Sequence, residues 1–291
     1  GVPGDLQLPE HPRSGGIGQV STGSTAAAVA NLQVTDSNFT SAVVGEATGY
    51  AHLSAFNPMR FYSDATIHAN GEIWFSTQAA AGTINVDRNL SLSTERYAAN
   101  GQSMNTASVD VFNVNGGGRI TVNGTTDLNS TAHGGSSFTN GIAGGNATAG
   151  LVRVNAASGG LIQLLGGVTA TADAYAGGGG AAGANGGNAT GGNVRLVTSG
   201  NNSNLTVAGG ATLSSNAYGG SGNGGECLCD GTGGNGQGGS IRVVSGNAGG
   251  SAINIAGGLT GSANGFGGSA TALNRAAGSG RGGEASFYVG T

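Results

Sequence analysis

Short runs in which apolar and polar residues alternate recur along the whole chain. In one stretch Val194-Arg-Leu-Val is followed by Asn204-Leu-Thr-Val-Ala and then by Ala211-Thr-Leu-Ser-Ser-Asn-Ala-Tyr218. Alternating runs of this length, bounded by Gly, Asn and Ser, are typical of β-strands. No window has a sustained apolar period of 3.6 residues. The sequence therefore predicts an all-β protein with three strands in each repeat.

A Gly-Gly-Asn block followed by an apolar-Arg-apolar strand marks each repeat. Copies begin at Gly144, Gly186 and Gly233, and a weaker fourth copy begins at Ala277, so the intervals are 42, 47 and 44 residues. Strands that return at such a period stack on their own copies in a solenoid. The sequence predicts a parallel β-helix of about seven three-stranded turns, with Gly-rich excursions at one corner.

The predicted domain organisation is an arm followed by one β-helix. Residues 1–16 contain three of the four prolines and are expected to form an extended arm, while residues 17–291 form a single domain. Within it, 17–104 are expected to form less regular turns and 105–291 the Gly-rich repeats. The Gly-rich excursions have two interpretations, either flexible loops or extended strands packed too closely for any side chain.

Strand alternation predicts ladders of equivalent side chains along the solenoid axis. Apolar positions of the repeated strand give two inward ladders, Val152/Val194/Ile241 and Val154/Leu196/Val243. The residues between them give an outward arginine ladder of Arg153, Arg195 and Arg242, which continues through Asp110, Trp74 and His52. Stacked arginines repel one another. The ladder is either a solvated face whose stems cover the sheet or a site where an acidic sugar or lipid head group bridges the guanidinium groups.

An aromatic ladder is predicted where the third strand ends, just before a Gly-Gly pair. Its members are His133, Tyr175, Tyr218 and Phe266. Rings stacked on neighbouring turns fix the register between those turns. The alternative interpretation is a stripe that binds sugars.

Residues 50–97 hold the densest set of chemically active side chains, which are His52, Arg60, Tyr62, Asp64, His68, Glu72 and Trp74. Alternation turns them outward near one end of the rod. They can form a surface for a partner or ligand, or an ordinary surface. If Asp64 and Glu72 flank one glycosidic bond they could also serve a glycosidase, which needs two carboxylates about 5–10 Å apart.

The composition excludes several classes of protein. Glycine occupies 62 of 291 positions, only 8% of the residues are charged, all ten basic residues are Arg, and the net charge is −4. A nucleic-acid-binding protein needs a basic stripe, which this chain lacks. No apolar run approaches the length of a membrane span. The chain is predicted to bind no nucleic acid and to cross no membrane.

No cofactor or metal is predicted. Calcium-binding solenoids carry Asp in their turns, whereas this chain carries Asn, as at Asn188 and Asn235. The two cysteines, Cys227 and Cys229, are too few for a zinc site. They are expected to form a disulfide with each other or with another chain, the alternative being two free thiols.

The Gly-Gly-Asn-Ala-Thr blocks at 144–150 and 186–192, each followed by an apolar-Arg-apolar strand, resemble the β-helical passengers of secreted bacterial surface proteins. These are the filamentous-haemagglutinin-like and autotransporter adhesins of Gram-negative bacteria. The resemblance covers roughly residues 105–291. It implies export, a place on the cell surface or in the biofilm matrix, adhesion or matrix building, and no catalysis.

The expected function is that of an extracellular structural protein, a self-assembling filament subunit or an adhesin stalk. Copies would add head to tail, with the arm 1–16 clasping a neighbour at an unfinished last turn. Cell-surface glycans or matrix polysaccharide are the other expected partners. One alternative is a β-helix that binds or cleaves carbohydrate through the 50–97 surface. Another is an ice-binding solenoid, which rests on a single Thr-x-Thr pair, Thr169/Thr171.

Overall fold

The computed structural model describes residues 6–7, 31–114, 117–180, 183–223, 231–246, 249–270 and 275–289. Within these residues the chain contains strands and no α-helix, and every pairing between named strands is parallel. From Leu32 onward, strands that are successive along the chain belong to different sheets, and each sheet pairs a strand with its equivalent one turn away. The predicted parallel β-helix is confirmed.

Three sheets form the body of the solenoid, and seven complete turns of the described residues contribute one strand to each. Sheet 1 contains β1 (Leu6–Gln7), β2 (Leu32–Thr35), β5 (Ala51–Ala55), β8 (Ile73–Thr77), β13 (Val109–Asn113), β18 (Leu151–Ala157), β23 (Asn193–Ser199), β28 (Ser240–Ser245) and β33 (Glu284–Val289). Sheet 2 contains β3 (Asn38–Phe39), β6 (Pro58–Phe61), β9 (Thr83–Val86), β14 (Arg119–Val122), β19 (Leu161–Leu164), β24 (Asn204–Val207) and β29 (Ala252–Ile255). Sheet 3 contains β4 (Val43–Ala47), β7 (Ala65–Ala69), β10 (Leu90–Ser93), β15 (Thr126–Asn129), β20 (Val168–Thr171), β25 (Ala211–Ser214) and β30 (Leu259–Ser262).

Two further sheets of five short strands come from the Gly-rich excursions. Sheet 4 contains β11 (Arg96–Tyr97), β16 (Ala132–His133), β21 (Ala174–Tyr175), β26 (Ala217–Tyr218) and β31 (Gly265–Phe266). Sheet 5 contains β12 (Met104–Asn105), β17 (Ala147–Thr148), β22 (Ala189–Thr190), β27 (Gly236–Gln237) and β32 (Gly280–Arg281). Of the two interpretations, the described parts of the excursions support ordered strands.

The excursions account for the difference in length between early and late turns. Ser54 and its stacked equivalent Ser76 are 22 residues apart, whereas Asp110 and Arg153 are 43 residues apart. The first described turn begins at β2 (Leu32–Thr35), which the sequence analysis missed. Of the segment 1–16, the structure describes only Leu6–Gln7, which pairs with Leu32 and Gln33.

The core consists of inward ladders that change character along the axis. In the late turns Val152, Val194 and Ile241 stack in register and are almost completely buried, as alternation predicts. In the early turns aromatic rings fill the interior. Phe39 and Phe61 stack with centroids 4.8 Å apart, and Phe75 lies 6.1 Å from Phe61. Large rings therefore fill the early turns, and aliphatic side chains fill the later ones.

Glycine backbones interleave at the base of the excursions, where the outgoing limb of one turn lies between returning limbs. Gly177 donates its N–H to the carbonyl of Gly145 at 2.9 Å, and Gly187 donates to Gly177 at 2.9 Å. The same pattern continues from Gly220 to Gly187 and from Gly234 to Gly220. A Cβ on Gly187 would lie only 2.2 Å from the carbonyl oxygen of Gly145. Close approach of these backbones explains why the excursions are so rich in glycine.

The asparagine of each Gly-Gly-Asn block forms a ladder of its own beside these glycines. The Oδ1 of Asn146 accepts the backbone N–H of Asn188 at 2.7 Å, and Asn188 does the same for Asn235 at 2.8 Å. Asn235 in turn accepts the N–H of Ser279 at 2.8 Å. The motif thus fixes the register between turns, since each amide satisfies a backbone donor that strand pairing leaves free.

Candidate functional site

A continuous stack of rings runs along sheet 4. The structure stacks the four predicted rings, His133, Tyr175, Tyr218 and Phe266, with centroids 4.7–5.0 Å apart and planes within 10° of parallel. It also places Tyr97 on His133 at 4.1 Å. Sequence analysis missed Tyr97 because Ala98 and Ala99 follow it in place of the Gly-Gly pair. The sequence feature that could have identified Tyr97 is its position four residues after the end of the strand Leu90–Ser93.

The stacking determines what these rings can bind. His133, Tyr175 and Tyr218 each have both faces covered by neighbouring rings. A sugar that stacks on an aromatic side chain needs a free ring face, and these three rings present only their edges to solvent. The geometry favours the interpretation in which the aromatic ladder fixes register.

Glu95 anchors the first rings of this ladder. Its Oε1 accepts a hydrogen bond from the Tyr97 hydroxyl at 2.8 Å and lies 2.9 Å from Nε2 of His133, and its Oε2 accepts from Asn129 at 3.1 Å. The hydrogen bond to Glu95 raises the pKa of Tyr97. Burial, followed by the charge of Glu95, raises the pKa of Asp127.

Tyr175, in the middle of the ladder, is expected to make the protein sensitive to alkaline pH. Burial, with the nearby charge of Asp173, raises the pKa of Tyr175 to about 12. Above pH 10 the unfolded chain releases this proton while the folded chain retains it, so stability falls as the pH rises from about 10 to about 12. In Tyr175→Phe the midpoint of urea unfolding should therefore fall less at alkaline pH than it does in the wild type.

The control is Phe138→Ala, which removes an exposed ring and no titratable group and should leave the pH profile of the wild type unchanged. A Tyr175→Phe profile that follows the wild type between pH 8 and pH 11 would contradict this assignment.

The seven residues of the 50–97 surface are distributed over three faces. His52 and Trp74 are on sheet 1 with Glu72 just before β8, Arg60 is on sheet 2 with Tyr62 just after β6, and His68 is on sheet 3. Asp64 lies at the corner between sheets 2 and 3. Alternation identified these side chains as outward, but it does not specify the face to which each one belongs.

The sheet 1 group forms a second aromatic stack. The His52 ring lies 4.3 Å from Tyr50 and 4.2 Å from Trp74, and Trp74 meets Phe112 edge-on at 6.0 Å. Burial lowers the pKa of His52, an effect that Glu72, at 3.3 Å, partly offsets. The indole of Trp74 thus contacts one ring from the turn before it, His52, and one from the turn after it, Phe112.

Arg60 and Asp64, two other members of the 50–97 surface, pair with residues of the next turn. Arg60 binds both carboxylate oxygens of Asp87 at 2.9–3.2 Å and lies over the Tyr62 ring at 4.6 Å. Asp64 accepts the backbone and side-chain N–H groups of Asn89, both at 3.0 Å.

The two carboxylates considered for a glycosidase, Asp64 and Glu72, lie at opposite ends of β7. This strand has five residues and spans about 16 Å. The strand that separates the two residues is thus longer than the roughly 5–10 Å between the carboxylates of a glycosidase.

Nearby acids balance the charges of the three ladder arginines unevenly. Arg153, Arg195 and Arg242 are neighbours in register on the outer face of sheet 1. Arg153 donates to Asp110 at 2.8 Å, and Arg242 lies 3.6 Å from Glu284. Asp110 is only 4% exposed, and its pKa is raised by burial, an effect that Arg153 partly offsets. The Nε of Arg195 is buried and has no hydrogen-bond partner among the described residues.

Hydroxyl side chains line the outer face of sheet 3 in its last three turns. Thr169 pairs in register with Thr212, which pairs with Thr260, and all three are exposed. The column of Thr171 continues as Ser214 and Ser262. In earlier turns charged or imidazole side chains such as Asp127 and His68 interrupt this face.

The remaining expectations concern the two cysteines, a metal site and a membrane-spanning segment. Cys227 and Cys229 lie outside the described residues. In the described part of the chain, no three His, Cys, Asp or Glu side chains are arranged to hold a metal ion. The same residues include no helix with the length and apolarity of a membrane-spanning segment.

The chain was compared with protein-family models, curated proteins and solved structures. No family model, curated protein or solved structure matches it.

Proposed function

We propose that this chain is an extracellular structural protein, whose β-helix serves as a self-assembling filament subunit or as the stalk of an adhesin. The observation that carries the proposal is the continuity of its ladders along the axis. Aliphatic, aromatic and asparagine ladders each connect a turn to its neighbours through equivalent side chains. A solenoid built in this way can be extended by repetition, because each turn contacts only its neighbours. The resemblance of its Gly-Gly-Asn blocks to those of adhesin passengers supports the same role.

The last described turn exposes apolar side chains at its end. Phe287 pairs in register with Val243 in a column that points into the core, yet it is 57% exposed. Beside it Ile253 and Ile255 are only partly buried, whereas their equivalents Leu205 and Val207 are completely buried. An apolar surface next to an unpaired strand edge is a template for another strand. A further turn, of the same chain or of a second copy, would cover it, and the proposed filament uses a second copy.

Negative-stain electron microscopy of the purified protein, with and without reductant, tests the proposal. Seven turns at about 4.8 Å give a rod of about 35 Å, so filaments should be much longer than this. Phe287→Asp combined with Tyr288→Asp should prevent their growth. The control, Phe138→Asp, changes a ring that is 87% exposed on an excursion and should leave assembly intact.

Isolated rods at all protein concentrations would overturn self-assembly and leave the adhesin stalk as the proposed role. Filaments that disappear on reduction would assign the joint to Cys227 and Cys229. Filaments that persist in reductant would exclude an intermolecular disulfide as the joint.

A further inference from the structure

The three arginines of the ladder differ in how their charges are balanced. Asp110 pairs with Arg153 from the turn before, and Glu284 lies near Arg242 from the turn after. Arg195 lies between them, and its buried Nε has no hydrogen-bond partner among the described residues. The strands β18, β23 and β28 contain no Asp or Glu. The centre of the ladder therefore carries positive charge that the described residues of these strands do not neutralise.

The position of Arg195 makes this imbalance unfavourable without a ligand. Its neighbours in register are Arg153 and Arg242, and strands in a sheet lie about 4.8 Å apart. Like charges directly opposite each other on paired strands destabilise the sheet. An oxyanion shared by two guanidinium groups would convert this repulsion into attraction, because each group offers a planar fork of donors.

A groove runs beside the ladder, between sheets 5 and 1. Its floor contains glycine backbone, and uncharged polar side chains line it: Thr190, Asn193, Gln237 and Ser240. Asn193 accepts a hydrogen bond from Ser240. Arg281 and Glu284 also line the groove. Amide and hydroxyl groups of this kind both donate and accept hydrogen bonds, as the hydroxyls of a sugar require.

We propose that the neighbouring arginines Arg195 and Arg242, together with this groove, bind a carboxylate-bearing polysaccharide that lies along the rod axis. The guanidinium groups bind the carboxylates, and the groove binds the sugar hydroxyls. The net charge of −4 and the small number of arginines distinguish this surface from the extensive basic surfaces that bind nucleic acid. The inference deepens the proposed role at a cell surface or in a matrix, since it names the class of partner.

The test measures binding of polygalacturonate fragments to the immobilised protein in low salt. Arg195→Gln should weaken binding by about tenfold or more, the loss expected when one charge-assisted contact is removed. It should also make binding less sensitive to salt. The control, Arg119→Gln, removes an equal charge from sheet 2, where Arg119 contacts Thr121 and Gln163, and should bind as the wild type does.

The stability of the ligand-free protein separates this role from a structural one. Arg195→Gln should raise the urea midpoint in low salt, because it removes like-charge repulsion. If the stem of Arg195 only covers the sheet, the variant should instead be less stable and bind normally, which would overturn the proposal.

Three further results would also overturn it: no binding of polygalacturonate by the wild type, equal losses in Arg119→Gln and Arg195→Gln, or equal binding of duplex DNA or anionic vesicles. Filament formation is observed separately by electron microscopy, so failure of either proposal can be recognised without the other.

Discussion

Replacing Gly177 by alanine is expected to destabilise the protein by about 3 kcal/mol, the upper part of the range for overpacking. The new Cβ would lie 2.1 Å from the carbonyl oxygen of Gly135 and 2.4 Å from its carbonyl carbon. Both atoms belong to the backbone and cannot move aside as a side chain would. The Gly177 N–H also donates to Gly145, so relief of the clash would break a hydrogen bond between limbs. Urea denaturation followed by circular dichroism measures the loss.

The adjacent residue offers a matched control, Gly178→Ala. Its Cβ would meet no atom closer than the carbonyl oxygen of Ser221 at 3.6 Å, which is ordinary contact. This change should be neutral or slightly stabilising, since alanine reduces the entropy of the unfolded chain. Equal losses at Gly177 and Gly178, or no loss at either, would mean that the excursions are not closely packed strands.

Replacing Phe75 by alanine is expected to cost about 3–5 kcal/mol, the range for removing a buried aromatic ring from a core. Phe75 is completely buried, and its ring packs against Phe61. Because each turn of a solenoid contacts only its neighbours, the damage should be local. Hydrogen exchange should accelerate most in β5, β8 and β13, and much less in β23 and β28.

Phe56→Ala is the control for this variant, because Phe56 is 49% exposed. Its unfolding free energy should change by less than about 1 kcal/mol. A uniform rise in exchange across all turns of Phe75→Ala would contradict the expectation that stability is divided among neighbouring turns.

The ladders could be predicted from the sequence because they depend only on period and alternation. Arg153, Arg195 and Arg242 occupy the same place in each repeat, and alternation places them outside. The same reasoning could not assign the 50–97 residues to faces. In these short turns the corners are not marked by Gly-Gly pairs, so His52 and His68 appear equivalent although they lie on different sheets.

Local sequence also could not reveal how the charges are balanced. Asp110 was placed in the arginine column from its register, but its near-complete burial arises where it lies between Trp74 of the turn before and Arg153 of the turn after. The Nε of Arg195 has no partner among the described residues partly because the neighbouring strands β18 and β28 contain no acid. Such properties arise between turns, and a repeat considered alone does not contain them.

The interleaved glycines attach each excursion to the rod in the same way, whatever the length of the excursion. The paired glycines are ten positions apart in sequence in three turns, at Gly135/Gly145, Gly177/Gly187 and Gly268/Gly278, and fourteen positions apart in another, at Gly220/Gly234. The hydrogen bonds that join the limbs are nonetheless the same, at 2.8–2.9 Å. Insertions at the tips therefore leave the scaffold undisturbed. Evolution, or an engineer grafting a peptide, can change what the protein displays at one corner without altering the repeat that carries it.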